Sequence, residues 1–306
     1  MRRSSQEAEA PEVDRRSKAR TGRPVLHEVV HLDDLGHVYR RPPFGEYLRK
    51  LWGRRHFIRA DARGRVISGS AGTVLGMLWL VLRPILDGAA YYTIFGIILN
   101  TQRGIPNFLG YLLIGVFLFR FTSRCLSAGA SSLTSGRNLM KAFTFPRAAL
   151  PVAVVTREAI SFIPVLGVMM ALILLLPPTE VITWRWALFP VILAMQFAFA
   201  FGLALVAARV TVHVPDLNQL ISVLTRFWLY SSAVFFARER FESVPWLYEA
   251  MGYNPMFLVL DMSRDVLLYG VSPSVHSWVV LTAWTVVTSV GGMIFFWRGE
   301  ERYGSL

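Results

Sequence analysis

The stretch FPVILAMQFAFAFGLALVAA, residues 189–208, decides the fold. Its twenty residues include no ionisable side chain. At 1.5 Å per residue an α-helix of that length covers about 30 Å, the thickness of a bilayer's hydrocarbon core. The apolar residues run right round the helix, as a membrane span requires.

Five more runs of this kind flank it, so the expected fold is all-α and integral to a membrane. The predicted spans are 74–99, 108–132, 151–176, 185–209, 218–236 and 276–297. Arg83-Pro84 interrupts the first; an isolated proline is tolerated in a membrane helix because neighbours re-satisfy the backbone. Hydrophobic residues make up 54% of the 306, above the roughly 45–50% typical of soluble domains. The excess lies beyond residue 70. Residues 1–41, rich in Arg, Ser, Glu, Pro and Ala, read as a disordered basic tail. Residues 42–70 form an interfacial segment and 71–306 the membrane domain.

Phe44, Leu48, Leu51, Ile58 and Ala62 recur at helical spacings, with Arg49, Lys50, Arg54, His56 and Arg63 largely opposite. That pattern predicts an amphipathic helix lying in the membrane interface, imperfect where Arg55 intrudes and Phe57 falls off the stripe.

Charge in the loops sets the orientation. Arg137, Lys141 and Arg147 occupy one expected inner loop, and His213, Asp216 and flanking Arg209 another. Segment 237–275 carries Glu239, Glu242, Glu249, Asp261 and Asp265 against three arginines, among them Arg264. The bias places both chain ends in the cytoplasm. Within that outer segment, 244–251 and 256–262 read as two short re-entrant or outer-face helices broken at Asn254-Pro255, with Trp246 and Tyr248 as outer-gate candidates. The first apolar run starts too late for a secretory signal.

The formal charge is +12, and 16 of the 32 Lys and Arg precede residue 71. Basic residues beside a span hold a chain end inside and attract anionic lipid; with no accompanying motif they do not point to nucleic acid. Cys125, the single cysteine, has no disulfide partner. His27 and His31 share metal-ligand spacing and Asp33-Asp34 form an acidic pair, but both fall in the polar tail, so no metal site is expected. No nucleophile–base arrangement stands out, and the chain is not expected to be an enzyme.

Leu75-Gly76-Met77-Leu78-Trp79, followed by Leu82-Arg83-Pro84, resembles the first membrane helix of type-2 ABC exporter permeases. These are the membrane subunits that export O-antigen, teichoic acid, capsule or galactan. Asn138-Leu139-Met140-Lys141, then Phe145-Pro146-Arg147 and Leu150-Pro151, is similar to the family's inner loop between helices two and three. Asp216 to Gln219 and Asn254-Pro255 match further, while Pro215 and Ser232 depart from residues common there. The resemblance covers roughly residues 44–302. It implies that Asn138, Leu139, Lys141, Phe143, Phe145, Pro146 and Arg147 form a short coupling helix docking on a separate ATPase. It also implies a bacterial cytoplasmic membrane, two ATPase subunits, and a path between two copies lined by helices one and five. One copy encloses no wide channel, so a homodimer is expected. A P-loop needs Lys after Gly, and none of Lys18, Lys50 and Lys141 follows one. ATP and Mg²⁺ therefore belong on the partner, with no cofactor on this chain.

Ionisable residues inside spans mark function or internal pairing. Arg83, Arg124, Arg157 and Arg226 sit on four spans at similar expected depth. Together they suit the diphosphate of a lipid-linked glycan; separately they can snorkel to lipid headgroups. Arg120 and Arg124 share a face, and Glu158 on the next span is the expected ion-pair partner of one of them. Tyr91, Tyr92 and Phe95 on helix one, with Phe227, Trp228 and Tyr230 on helix five, are candidates to line a glycan channel. The expected function is export of lipid-linked cell-envelope polysaccharide. A lipid or drug exporter and a membrane glycosyltransferase are the competing readings.

Overall fold

The computed structural model describes residues 42–70, 76–98, 105, 107–143, 145–176, 180–236, 238 and 243–305. The tail expectations, including His27, His31, Asp33 and Asp34, lie outside the described residues, and so do Glu239 and Glu242. Every regular element among the described residues is helical.

Two helices, α1 (Phe44–Gly53) and α2 (Arg55–Ser70), come first. A 3-10 turn (Gly76–Leu78) leads into α3 (Trp79–Tyr91), which continues as a π-helical turn (Tyr92–Ile98). Next come α4 (Phe108–Ala130), the short α5 (Ser132–Ser135) and α6 (Arg137–Ala142), and α7 (Ala149–Leu175). A 3-10 turn (Trp184–Leu188) opens α8 (Phe189–His213), and α9 (Leu217–Ser231) follows. The chain ends with α10 (Pro245–Met251), α11 (Pro255–Arg264), a π-helical turn (Asp265–Tyr269), α12 (Val275–Arg298) and a 3-10 turn (Glu300–Ser305).

Four helices are long and apolar enough to cross a membrane: α4, α7, α8 with its preceding turn, and α12. Helix α4 is the centre, with 72% of its apolar window buried against 17% for α7 and for α12. The exposed Val, Ile and Phe side chains of those two helices form a periphery suited to lipid.

The other two expected spans are shorter. The first contains Pro84, whose ring removes one helical hydrogen bond, and it loosens into π geometry from Tyr92. The expected 218–236 span ends early, since α9 has 15 residues and reaches only about 22 Å. Beyond it Ala233 adopts a positive φ of 51°. The cause is a competing set of donors. The Arg264 guanidinium donates to the carbonyls of Ala233 (3.1 Å) and Val234 (3.3 Å), and the Tyr111 hydroxyl to those of Ala233 (3.0 Å) and Phe236 (2.7 Å). Carbonyls left over at a helix end are thereby satisfied by side chains.

Arg264, counted among the outer charges from sequence, is instead 2% exposed and lies over the Tyr111 ring. Of the two expected outer helices, α10 is mostly exposed. Helix α11 is buried from Pro255 to Leu260 and again from Met262 to Arg264, packing on α4, α8 and α12. Asn254 caps it by accepting from the Met256 N–H at 3.1 Å.

The predicted amphipathic helix is two helices joined at Arg54. Of its expected stripe, Leu51, Ile58 and Ala62 are buried, Phe44 is half-buried and Leu48 is exposed, while Tyr47 beside it is buried; Tyr47, Leu51 and Ile58 pack with Leu133, Ala149, Leu150, Leu205 and Phe296. Protein therefore covers part of the stripe, while Leu48 and Trp52 remain 37% and 69% exposed. This end of the bundle gathers α1, α6 and the C-terminal turn, and is called the basic end below.

Helices α8 and α12 approach without side chains between them. A Cβ on Gly202 collides with the Thr288 backbone carbonyl, and one on Gly292 falls 2.7 Å from the Gly202 oxygen. Small residues allow such approach in membrane bundles. Gly202→Ala is expected to destabilise by about 1–3 kcal/mol through overpacking, read as a lower melting temperature in detergent. Gly291→Ala, with open space around its Cβ, is expected to leave the melting temperature unchanged.

Candidate functional site

Two constellations occupy the basic end. The first starts where α4 stops. Gly136 separates α5 from α6, and α6 turns Leu139 and Met140 onto the core formed with α1 and α7. Asn138 and Lys141 face outward, and Phe143, in extended backbone, is 64% exposed. Phe145 turns back, 6.2 Å from the Phe57 ring of α2. The exposed Phe143 thus stands beside the outward-facing Asn138 and Lys141, above a buried underside.

Arg147, expected to face a partner, is half-buried and faces the chain's own C-terminal turn. Its backbone N–H donates to Glu300 Oε1 at 2.9 Å and its guanidinium donates to the Glu300 carbonyl. The Tyr47 hydroxyl donates to Glu300 Oε2 at 2.8 Å and accepts from the Ala148 N–H at 3.2 Å. Trp297 donates to the Pro42 carbonyl at 3.0 Å and meets the Phe44 ring edge-on at 5.4 Å. One carboxylate thus fastens α1, the start of α7 and the C-terminal turn. Burial pushes the Glu300 carboxyl above its ordinary 4.5, opposed by the Arg147 N–H, the Tyr47 hydroxyl and the Arg147 charge. Sequence reasoning missed Glu300; its only signal is an acidic pair, Glu300-Glu301, directly behind a span on the side rich in Arg.

The second constellation is a cavity of about 650 Å³ walled by α2, α3, α4 and α7. Arg65, Arg83, Arg120, Arg124 and Arg157 line it with Asp87 and Glu158. Three of the four arginines expected to act together therefore meet here. Arg226, exposed on α9, does not line it. The expected ion pair of Glu158 with Arg120 or Arg124 is not the one formed. Glu158 pairs with its neighbour Arg157 (Nη2–Oε1 3.0 Å), and Arg120 pairs with Asp87 of α3. Asp87 was the overlooked partner, although an Asp four residues beyond Arg83 in an apolar run is a signal for internal pairing.

The aromatic candidates divide. Tyr91 and Phe95 pack on Phe235, at 5.8 and 4.3 Å between ring centroids. Trp228 packs on Phe119 at 5.6 Å and donates to Asn254 Oδ1 at 3.0 Å. Tyr92, Phe227 and Tyr230 are exposed. Asn254 also donates to the Ser231 carbonyl and to Ser232 Oγ, both at 3.1 Å, so with Pro255 it is a joint between α9 and α11. Trp246 is 71% exposed, while Tyr248 lies under the Arg238 guanidinium at 3.8 Å. Among the described residues no three His, Cys, Asp or Glu come together to hold a metal.

Residues 64–268 match the family model described as ABC-2 type transporter. The chain is similar to an O-antigen export system permease protein RfbA of Myxococcus xanthus, 26% identical over 255 residues, covering 83% of this chain and 96% of the relative. It is also similar to the protein of that name from Klebsiella pneumoniae, 25% identical over 224 residues, covering 73% of this chain and 84% of the relative.

The two parts of the basic end separate by mutation. Phe143→Ala is expected to leave the melting temperature unchanged, since the ring touches little of its own chain. Glu300→Ala is expected to lower it by leaving Arg147 and Tyr47 without their acceptor. A raised carboxyl makes the protonated form the better tolerated one in the fold. Stability from Glu300 is thus fully present at low pH and is lost as pH climbs from 4.5 through the raised value. Melting of wild type against Glu300→Gln from pH 4 to 8 is expected to show the wild type losing ground as pH rises.

Proposed function

The chain belongs to the ABC-2 type transporter family, and we propose that it is the permease subunit of an ATP-driven exporter of lipid-linked cell-envelope polysaccharide. The names of its relatives, O-antigen export permeases matched over 73–83% of this chain, support that cargo class. The observation that carries the reading is the division of labour at the basic end. A docking-type surface around α6 is exposed there, while none of the chain's lysines follows a glycine, so the energy source is a second polypeptide. We place this end in the cytoplasm, with both termini, six membrane segments counting the shorter α3 and α9, and α1–α2 at the interface. The membrane is the bacterial cytoplasmic membrane.

A glycan needs hydrogen-bonding partners across the hydrocarbon, and α9 supplies a polar row. Asn218, Ser222, Arg226 and Tyr230 follow one another at every fourth residue, the last three exposed. Among its described contacts α9 has no buried residue. A polar row facing lipid is costly, and a second copy of the chain opposite α9 converts it into the wall of a path between subunits. Phe227, at 70% exposure, and Tyr230 offer faces on which sugar rings stack. Two ATPase subunits on the paired α6 surfaces complete the assembly, and ATP with Mg²⁺ acts there. Closure of the ATPases presses on Phe143 and moves the halves.

Depletion of the chain in cells is expected to leave lipid-linked polysaccharide on the cytoplasmic side, scored by protection from an external glycosidase. Phe143→Ala, expressed at the wild-type level, is expected to reproduce that accumulation. If depletion leaves the polymer outside and a free lipid or drug inside, the cargo assignment fails.

A further inference from the structure

Another cavity, of about 620 Å³, lies between the interfacial helices and the bundle. Arg49 and Trp52 of α1 and Arg55 and Arg59 of α2 line it, together with the buried Leu51 and Ile58. The bundle contributes Val152 and Thr156 of α7, Phe201 of α8 and Met293 of α12. Leu48, Trp52, Arg55 and Arg59 follow one another at three or four residues across the joint at Arg54, so they form one row beside the buried stripe. None of the lining residues is Asp or Glu. The carboxylates nearby in sequence are taken, Glu46 by Lys50 at 2.8 Å and Asp61 by Arg65 at 2.9 Å. Arg49, Arg55 and Arg59 make no ion pair among the described residues; Arg55 donates to the Trp52 carbonyl at 3.4 Å and lies over the Trp52 ring.

The lining changes character with depth. Counted inward from the basic end, Val152 is three residues into α7, Met293 five residues from the end of α12, and Phe201 twelve from the end of α8. Those positions lie about 5, 8 and 18 Å along their helices. The arginines all come from α1 and the first turns of α2, so charge lies towards the basic end and uncharged surface runs inward. Helices α7 and α12 are, of the four long spans, the two left most open to lipid, and the bilayer therefore reaches the cavity from the side. An occupant must join an anionic head to a hydrocarbon chain, and the bilayer itself supplies one. The arginine fork donates paired hydrogen bonds to phosphate oxygens, and an exposed Trp suits the headgroup level. A zwitterionic head is a poorer match, because its ammonium finds no carboxylate in the lining.

We propose that this cavity seats an anionic glycerophospholipid, its phosphate held by Arg49, Arg55 and Arg59 and one acyl chain running past Ile58 to Phe201. The lipid fills the space between the interfacial helices and α7, α8 and α12, and it holds α1 and α2 against the bundle by charge as well as by burial. It also covers what protein leaves open, since Leu48 and Trp52, the exposed residues of the amphipathic segment's apolar side, line this same cavity. The site is separate from the arginine cavity of α2, α3, α4 and α7, with which it shares no lining residue. It does not rest on the permease reading. Only the leaflet, the inner one, rests on placing the basic end in the cytoplasm.

The test is native mass spectrometry of the purified full-length chain, titrated in detergent with dioleoyl phosphatidylglycerol or dioleoyl phosphatidylethanolamine, which share their chains and differ in head charge. Phosphatidylglycerol is expected to bind about tenfold tighter. Arg49→Gln, Arg55→Gln and Arg59→Gln are each expected to weaken it about fivefold, the worth of one basic residue at an anionic lipid surface, and the triple variant to lose the preference between the two lipids. Arg54→Gln, at the joint of the same helices but outside the lining, is expected to bind like wild type. Thr156→Phe, which fills the cavity and leaves every arginine in place, is expected to weaken phosphatidylglycerol by a similar factor. Melting curves identify variants that fail to fold, and Thr156→Leu is then read in place of Thr156→Phe, with a smaller loss expected. Equal affinity of the wild type for the two lipids overturns the anionic assignment. A loss in Arg54→Gln as large as in Arg49→Gln marks diffuse attraction to a basic surface and overturns the site. Unchanged affinity in the folded arginine variants or in folded Thr156→Phe overturns it too. Farnesyl diphosphate that displaces phosphatidylglycerol at equal concentration overturns the phospholipid assignment in favour of a diphosphate lipid.

Discussion

Inside hydrocarbon, no water is at hand to partner a polar group, and one consequence of that constraint shapes much of this bundle. Arg264, 2% exposed, reaches the end of α9 and takes two of its carbonyls, with a third bond to the Tyr111 carbonyl at 3.3 Å. Gly115 leaves the room, since a Cβ there falls 2.7 Å from the guanidinium. Satisfying those carbonyls by side chains lets the chain turn at Ala233 rather than continue as helix. The short α9, the burial of α11 behind it, and the Asn254 joint between them all follow from that turn.

At the basic end a comparable junction is built around a carboxylate. Glu300 receives donors from α1 and from the entry to α7, and its own backbone carbonyl accepts from Arg147. The elements it joins are far apart in sequence, so the junction ties α1, the entry to α7 and the C-terminal turn together.

Long uniform runs were legible in the sequence because membrane insertion imposes length and apolarity on a contiguous segment. Helices α4, α7, α8 and α12 stand close to where composition put them. What could not be read was anything set by a distant partner. The 218–236 run is apolar enough to continue, and donors far away in sequence, Arg264 and the Tyr111 hydroxyl, meet its carbonyls where it ends. The amphipathic stripe through Leu51 and Ile58 announced a buried face, but periodicity does not say whether lipid or protein covers it. Likewise, Arg83, Arg124 and Arg157 line one cavity while Arg226 stands apart, because the angular position of α9 was not legible. The ion pairs were misassigned for a local reason: Glu158 pairs with Arg157, its neighbour on α7, and Arg120 with Asp87 of α3.

Helix α2 ties the two constellations together. Its Phe57 meets Phe145 beside the docking surface, and its Arg65 and Val66 line the arginine cavity. The two contacts are eight to nine residues apart along one helix, about 12–14 Å, with Ile58 and Ala62 buried between them. A helix seated on a buried stripe moves as a unit rather than bending locally. One helix thus borders both constellations, touching Phe145 through Phe57 and walling the cavity through Arg65 and Val66.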